Sequence, residues 1–118
     1  MVKTTLFFNI ITGVSMVIVG IILKIFPPKK INFISGYRTY LSMKNKETWE
    51  EGNRYSAKML IVLGVISIII SFVIYKTVNP KISAIISTIV SLVLIILAIP
   101  LTELHLKKLF DKDGNRKV

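Results

Sequence analysis

The sequence predicts an all-α integral membrane protein, a single domain built as a bundle of three transmembrane helices with an amphipathic cytoplasmic loop or helix between spans one and two. Three stretches that lack charged side chains lead to this prediction, at about residues 4–23, 59–75 and 82–102. The hydrophobic share of 53% and the mean hydropathy of +0.67 are high for a soluble domain. Lysines border the stretches, so the charges lie at the ends of apolar runs.

The basic residues are assigned to the membrane surface. The formal net charge is +10, a value that nucleic-acid-binding proteins also reach. Because the charges flank apolar runs instead of covering one face of a soluble domain, we expect the lipid bilayer as a partner and no direct contact with nucleic acid. The chain has no cysteine, which excludes disulfides and thiolate metal sites.

The first stretch predicts a membrane span. A helix over residues 4–23 is about 30 Å long, the thickness of the hydrocarbon layer. We prefer a span to a cleaved signal peptide because the apolar core is long and no cleavage site of the A-x-A kind follows it. Asn9, Gly13 and Gly20 fall near one helical face, which predicts a seam that packs against another helix.

Residues 24–58 are predicted to form a cytoplasmic loop, called the motif loop below. Pro27 and Pro28 end the first helix because neither can donate a backbone N–H. Apolar and aromatic residues then mix with small polar ones, which suits a segment in the lipid headgroup region. The apolar and aromatic positions are Ile31, Phe33, Ile34, Tyr37, Tyr40 and Leu41.

The second helix is predicted to begin inside this loop. Asn45 suits the N-cap position, because its side chain can accept a hydrogen bond from the first helical turn. A helix that starts there aligns Trp49, Asn53 and Ser56 on one face. It continues without a break into the stretch at residues 59–75.

Spans two and three are predicted to form a tight antiparallel hairpin, with Asn79 as N-cap and Pro80 as the first helical residue of span three. Each span carries a ribbon of small residues that lets helices approach closely, so we expect helix packing in preference to a polar pathway. The ribbons are Gly64, Ser67 and Ser71 in span two and Ser83, Ser87 and Ser91 in span three. A homo-oligomer contact through these ribbons is the alternative, and Leu94 is predicted to face outward.

The charge distribution predicts a multi-pass topology. The motif loop and the tail at residues 103–118 carry thirteen of the 16 basic residues, and Lys3, Lys76 and Lys81 are the other three. Basic residues favour the cytoplasmic side of a membrane. The N-terminus is therefore predicted outside, and the motif loop and the C-terminus in the cytoplasm.

No pattern in the sequence predicts catalysis or a metal site. The DKDGN segment of the tail copies the start of a Ca²⁺-binding EF-hand loop, but Arg116 occupies the sixth position, where that loop needs glycine. We predict a solvated His105 and solvated ion pairs for Glu47, Glu50 and Glu51. The spans contain no charged residue, which argues against a proton relay or an ion-coupled carrier. We expect no catalytic residue, metal, cofactor or enzyme activity.

Polar and aromatic residues of the motif loop recur at characteristic spacings. They are Asn32, Gly36, Tyr37, Arg38, Thr39, Asn45, Trp49 and Asn53. After a Pro-Pro pair and directly before a span, this pattern resembles the P-N-x3-G-[YF]-R-T…N-x3-W-x3-[NH] signature of the SdpI family of small bacterial membrane proteins. One departure is that Lys29, Lys30 and Ile31 separate the prolines from the first asparagine, where the family reads Pro-Asn directly.

The resemblance implies a short three-span protein of the bacterial cell membrane that gives immunity to a membrane-active peptide toxin. It also implies a second partner, a cytosolic transcriptional repressor tethered at the membrane. The alternative is a small transporter or membrane enzyme that uses Arg38, Trp49 and Asn53 as its site. The lack of intramembrane charges and of catalytic pairs favours the first interpretation.

The roles of the motif residues allow two main interpretations. In the structural one, Asn32, Arg38 and Asn53 lock the loop onto the helix, and the amphipathic Trp49 anchors it at the membrane boundary. In the other, Arg38 binds a ligand, because a guanidinium pairs well with phosphate or carboxylate. Catalysis by these residues is the third and least favoured interpretation.

Overall fold

The computed structural model describes residues 2–32 and 36–117, with side chains from residue 6 onward. Its helices are α1 (Val2–Ile25), α2 (Lys46–Thr77) and α3 (Pro80–Leu109). Each is long and apolar enough to cross a membrane, and the described part of the chain contains no β-strand. The predicted all-α class is therefore confirmed. The predicted headgroup contacts of Phe33 and Ile34 lie outside the described residues.

Helix α1 packs antiparallel to α2 through the predicted glycine seam. A Cβ atom at Gly13 would lie 3.2 Å from the carbonyl oxygen of Gly64, and one at Gly20 would lie 2.9 Å from that of Ala57. These positions leave no room for a side chain, so the two backbones are in close contact. At its end α1 closes with a backbone hydrogen bond from Phe26 to Ile22, and the two prolines follow.

Helix α2 begins in the motif loop, as predicted, and runs unbroken into the second span. Asn45 is its N-cap: the side chain accepts from the N–H of Thr48, and the Thr48 hydroxyl accepts in return from the N–H of Asn45. With 32 residues the helix is about 48 Å long, which exceeds the hydrocarbon thickness of about 30 Å. Its first turns therefore lie beyond the membrane.

Helix α3 pairs with α2 as the predicted hairpin. Asn79 caps it by accepting from the N–H of Lys81, and Pro80 stands in its first turn. The helix continues past Pro100 to Leu109. The start of the predicted tail is thus the last part of α3, and it also lies beyond the membrane.

The DKDGN segment forms a turn. The Asp111 carboxylate accepts hydrogen bonds from the backbone N–H groups of Asp113 and Asn115. An isolated antiparallel bridge joins Phe110 to Arg116 and closes the turn. One carboxylate oxygen of Asp111 is thus bonded within the turn itself.

The spans bury their small polar residues. All five serines of the two ribbons are buried, and the hydroxyls of Ser67 and Ser91 are 2.5 Å apart. On α1, the side chain of Asn9 accepts from the Ser87 hydroxyl at 2.6 Å and donates to Ser83 at 3.2 Å. The ribbons therefore pack α3 against both other helices within one chain.

The apolar core consists of two separate clusters. Met16, Leu63 and Ala98 form the first, between the three spans. Leu94 packs against this cluster, so its predicted outward orientation is wrong. The second cluster lies in the part of the chain beyond the spans, which we call the headpiece (residues 26–32, 36–58 and 103–117). Its members are Leu41, Leu106 and Phe110.

Candidate binding site

The first turns of α2 hold the motif loop. Trp49 is fully buried, and its indole Nε1 donates to the carbonyl of Pro28 at 2.6 Å. One turn later the Asn53 side chain accepts from the N–H of Tyr37 at 2.8 Å and donates to the carbonyl of Trp49 at 2.8 Å. These two residues fasten the loop on both sides of residues 33–35.

The burial of Trp49 corrects its expected place at the membrane boundary. Its exposed fraction is 0%, so the ring touches neither lipid nor water. The loop folds back over the start of α2 and covers it, which leaves the indole N–H with a backbone carbonyl as its partner. Trp49 anchors the loop to the helix and not to the bilayer.

Gly36 is required by the conformation of the loop. Its φ of 93° lies in the left-handed region, which side chains with a Cβ rarely adopt. A Cβ atom there would also overlap the side-chain amide of Asn53 and would lie 2.7 Å from Pro28. The glycine therefore lets the loop lie directly on the amide that holds Tyr37.

A carboxylate on α3 fixes the other face of the loop. The hydroxyls of Tyr37 and Thr39 both donate to one oxygen of Glu103, the former at 2.6 Å. Burial raises the pKa of the Tyr37 hydroxyl above its ordinary value, and the hydrogen bond to the Glu103 carboxylate raises it further. The tyrosine is therefore a neutral hydrogen-bond donor at every physiological pH.

Sequence reasoning missed Glu103 as a member of this site. It lies 64 residues from Thr39 and 66 from Tyr37, so no local spacing connects them. Its position gave one usable signal: it is the only acidic residue of α3, directly after an apolar span. A carboxylate at the end of an apolar span needs hydrogen-bond donors close by.

The loop and the tail are joined through the cap of α2. The Ser42 hydroxyl accepts from the N–H of Thr39 at 2.8 Å and donates to the carbonyl of Tyr37 at 3.0 Å, which forms a turn before the helix. The amide of Asn45, besides capping α2, donates to the carbonyl of Gly114 at 2.7 Å. The motif residues thus contact α2, α3 and the tail.

A second polar cluster joins α2 to α3. Glu51 accepts from Arg54 at 2.5 and 2.9 Å and lies 2.5 Å from Nε2 of His105. The His105 ring stacks on Tyr55 with centroids 3.9 Å apart. Burial alone would raise the pKa of the Glu51 carboxyl, but the hydrogen bonds from Arg54 and His105 outweigh it and hold the pKa below its ordinary value.

This cluster corrects two predictions. His105 is not a solvated surface histidine, because its side chain is only 24% exposed and is paired with Glu51. Glu51 is 15% exposed while its partner Arg54 is 63% exposed, so the carboxylate is shielded from water but the guanidinium is not. Glu47 and Glu50 do form exposed pairs, with Arg116 and Lys46 respectively.

Two further motif residues are Asn32 and Arg38. The side chain of Asn32 donates to the carbonyl of Lys30 at 2.9 Å, within the loop itself. Arg38 is exposed, and it lines the end of a groove of about 650 Å³ beside the headpiece. Arg38 is the charged residue among the predicted binding residues, and it lines this groove.

The groove lies between α1 and α3, with α2 as its floor. Most of its wall is apolar. Phe26 contributes from just beyond α1, and the three spans contribute Val19, Ile22, Leu23, Leu60, Ile95, Ala98 and Ile99. Polar groups enter at the headpiece end, from Ser56 and from the loop residues Tyr37, Arg38 and Thr39. The groove can therefore accept an elongated molecule with an apolar body and one polar end.

Residues 2–32 and 36–117 contain no group of three His, Cys, Asp or Glu side chains placed to hold a metal ion. The Glu51–His105 pair has the residue types of a general base, but Arg54 already occupies the carboxylate. The arrangement favours binding over chemistry.

Comparison with known proteins matches this chain to the model of the SdpI/YfhL protein family over residues 29–102. The chain belongs to the SdpI/YfhL family. The match includes every motif residue from Asn32 to Asn53, and the resemblance seen in the loop is confirmed. Glu103 lies just beyond the matched range.

One relative within this family is "Uncharacterized protein YfhL" of Bacillus subtilis (strain 168), which is 47% identical over 58 residues. The aligned part covers 49% of this chain and 53% of the relative, so the chain spans about half the length of the curated relative that it matches. No solved structure matches the chain. Membership and the three apolar helices make it a membrane protein of the SdpI family.

Proposed function

We propose that this protein is a multi-pass immunity protein of the bacterial cell membrane that protects its host from a membrane-active peptide toxin. Membership of the SdpI family supports this class of function. The observation that best supports the proposal is the way in which the motif loop is bonded to two helices. The loop is fastened to α2 by Asn53 and to α3 by Glu103, so a shift between these helices must move the loop.

This linkage suggests how a toxin in the bilayer acts on the cytosolic side. A peptide that contacts the spans and favours one helix arrangement also favours one state of the loop. A loop state presented at the membrane surface then tethers or releases a cytosolic regulator such as a repressor. The toxin must bind one state more tightly than the other, since equal affinity shifts no equilibrium.

The proposed topology places the headpiece in the cytoplasm. Thirteen of the 16 basic residues lie in the motif loop and the tail, which supports this orientation. The cysteine-free chain allows a direct test by single-cysteine labelling of intact cells. A cysteine at Thr77 should react with a membrane-impermeant reagent, and one at Asn115 should react only after lysis. The reverse pattern would contradict the topology.

The function is tested by expressing the protein in a toxin-sensitive strain and challenging it with the peptide encoded nearest to its gene. Wild type should raise survival, and Asn53→Ala, which releases the loop from α2, should lower it at equal membrane expression. Tyr40→Ala is the matched control, because Tyr40 belongs to the same loop but is 80% exposed. No gain in survival with any neighbouring peptide toxin would reject the immunity function.

The alternative function is a small transporter or membrane enzyme. The groove with Arg38 at its end favours this alternative in so far as it can bind a small amphiphile. Trp49 and Asn53 argue against it, because both are buried and already hydrogen-bonded to the loop. Accumulation of a substrate in vesicles that contain only this protein would support the alternative.

A further inference from the structure

We propose that the groove between α1 and α3 binds one anionic phospholipid, with an acyl chain in the apolar part and the phosphate on Arg38. The proposal concerns the lipid that surrounds the protein, and it does not depend on immunity to a toxin. Three features of the groove lead to it: its depth in the membrane, its polarity from end to end, and the charge around its polar end.

The groove extends from the headpiece along the spans, where a lipid tail would lie. On α1 the lining residues run from Val19 to Leu23 along one helical face, and Phe26 follows just beyond the helix end, about 10 Å from Val19 along the axis. Val19, Ile22 and Ile99 are each at least half exposed, so the groove is open to the bilayer and not sealed inside the bundle. Its volume of about 650 Å³ lies within the range of roughly 300–1,000 Å³ that is typical of sites for single small molecules.

The polarity of the groove matches an amphiphile in one orientation. The lining that comes from the spans is apolar, and Ser56 contributes a polar group from the headpiece part of α2. Arg38, Tyr37 and Thr39 line the headpiece end, where a lipid headgroup would lie. A guanidinium binds phosphate oxygens through two parallel N–H groups, which an ammonium group cannot do.

The charge at this end favours an anionic lipid over a zwitterionic one. Lys24 in the last turn of α1 and Lys29 and Lys30 in the motif loop are all exposed. Basic pockets between spans at a membrane surface are a known means of binding anionic headgroups. A choline headgroup would place a positive charge close to Arg38, which is unfavourable.

The test is native mass spectrometry of the purified protein in detergent, with phosphatidylglycerol and phosphatidylcholine added in equal amounts. We expect wild type to retain one phosphatidylglycerol in preference to phosphatidylcholine. Arg38→Gln should weaken this binding about tenfold, because it removes a charge-assisted pair of hydrogen bonds. Lys58→Gln removes an exposed charge that does not line the groove and should leave retention unchanged.

The apolar part is tested by filling it. Val19→Phe with Ile22→Phe places two rings in the groove and should abolish retention of the lipid. The matched control is Ile18→Phe with Ile21→Phe, because these neighbours are also exposed on α1 but do not line the groove. None of these changes adds a tryptophan, so the emission of Trp49 reports whether each variant is folded.

Two results would overturn the proposal. The first is equal retention of both lipids, or equal retention by the Arg38 and groove variants and their controls. The second is a protein dimer that persists with excess lipid and is lost in the Val19→Phe, Ile22→Phe variant, since the groove would then be a contact between two copies of the chain.

Discussion

In the spans, most of the fully buried side chains are small and polar, whereas in the headpiece the large buried side chains are aromatic or aliphatic. Asn9, Ser67 and Ser87 have no exposed surface, while many isoleucines and valines of the same helices face outward. In the headpiece, Trp49 and Leu106 have no exposed surface, and the charged residues are exposed except for Glu51 and Glu103. One chain of 118 residues thus contains two opposite burial patterns.

The difference follows from the solvent on each side. Lipid tails are as apolar as leucine, so burying leucine between spans releases little free energy, and close packing and hydrogen bonds hold the helices together. Water surrounds the headpiece, where removing a large apolar side chain from the solvent is the main stabilising term. We therefore expect larger side chains to destabilise the packing of the spans. Loss of apolar volume should instead destabilise the headpiece.

Two spectroscopic signals separate the regions. Trp49 is the only tryptophan and lies in the headpiece, so its emission reports the packing of the loop on α2. Far-ultraviolet circular dichroism reports all three helices together. If a change destabilises the headpiece alone, the Trp49 emission should change at a lower temperature than the circular dichroism.

Trp49→Ala should have the largest effect. It removes a fully buried ring and the hydrogen bond to Pro28, and loss of a buried tryptophan typically costs about 3–5 kcal/mol. We expect rapid proteolysis of the motif loop in detergent while the hairpin of α2 and α3 stays helical. Tyr40→Ala, in an exposed position of the same loop, should cost little. Equal proteolysis of the two variants would mean that the headpiece is not packed around Trp49.

Ser87→Leu tests the spans by adding volume, whereas Trp49→Ala removes volume from the headpiece. It adds volume where the exposed fraction is 0% and removes the hydrogen bond to Asn9, and overpacking a tight interior costs about 1–3 kcal/mol. Helicity should be lost at a lower denaturant concentration than in wild type. Val93→Leu, on the lipid-facing side of α3, should have almost no effect. If both variants were tolerated, the serine ribbon would not be the contact between the helices.

Gly36→Ala should open the headpiece and leave the spans intact. A residue with a Cβ at a left-handed φ costs about 1–2 kcal/mol, and the new methyl group overlaps the side chain of Asn53. We expect the Trp49 emission to shift to longer wavelength at a temperature where the helices persist. Gly114→Ala is the comparison, because Gly114 also has a positive φ of 82° but contacts Asn45. It should destabilise the tail without the shift in emission.

The smallest expected effect is the pH dependence at Glu51. Its folded pKa is below the ordinary value of 4.5, so its contribution to stability is complete above that pH and is lost as the pH falls through the folded pKa. Glu51→Gln should lower the free energy of unfolding at pH 7 by less than about 1 kcal/mol, because water partly screens the pair. The difference from wild type should vanish in acid. A difference that grows in acid would contradict the pairing of Glu51 with Arg54 and His105.

The sequence alone was sufficient for the three helices and for the starts of α2 and α3, but not for the end of α3 at Leu109. Asn45 and Asn79 cap α2 and α3 as predicted, because a cap needs only hydrogen bonds to residues two or three positions further on. The glycine seam on α1 was also predictable, since the helical period determines which side chains share a face. The signature in the motif loop was sufficient for the family.

The tertiary structure decided which partners these residues meet. Whether Trp49 faces lipid or the underside of a loop depends on the path of the loop, and that path depends on contacts from α2 and α3 together. The same holds for Glu103, which bonds to two loop hydroxyls, and for His105, which pairs with Glu51 across 54 residues. A helix is determined by neighbours within one turn, whereas the site is built from residues that only the folded chain brings together.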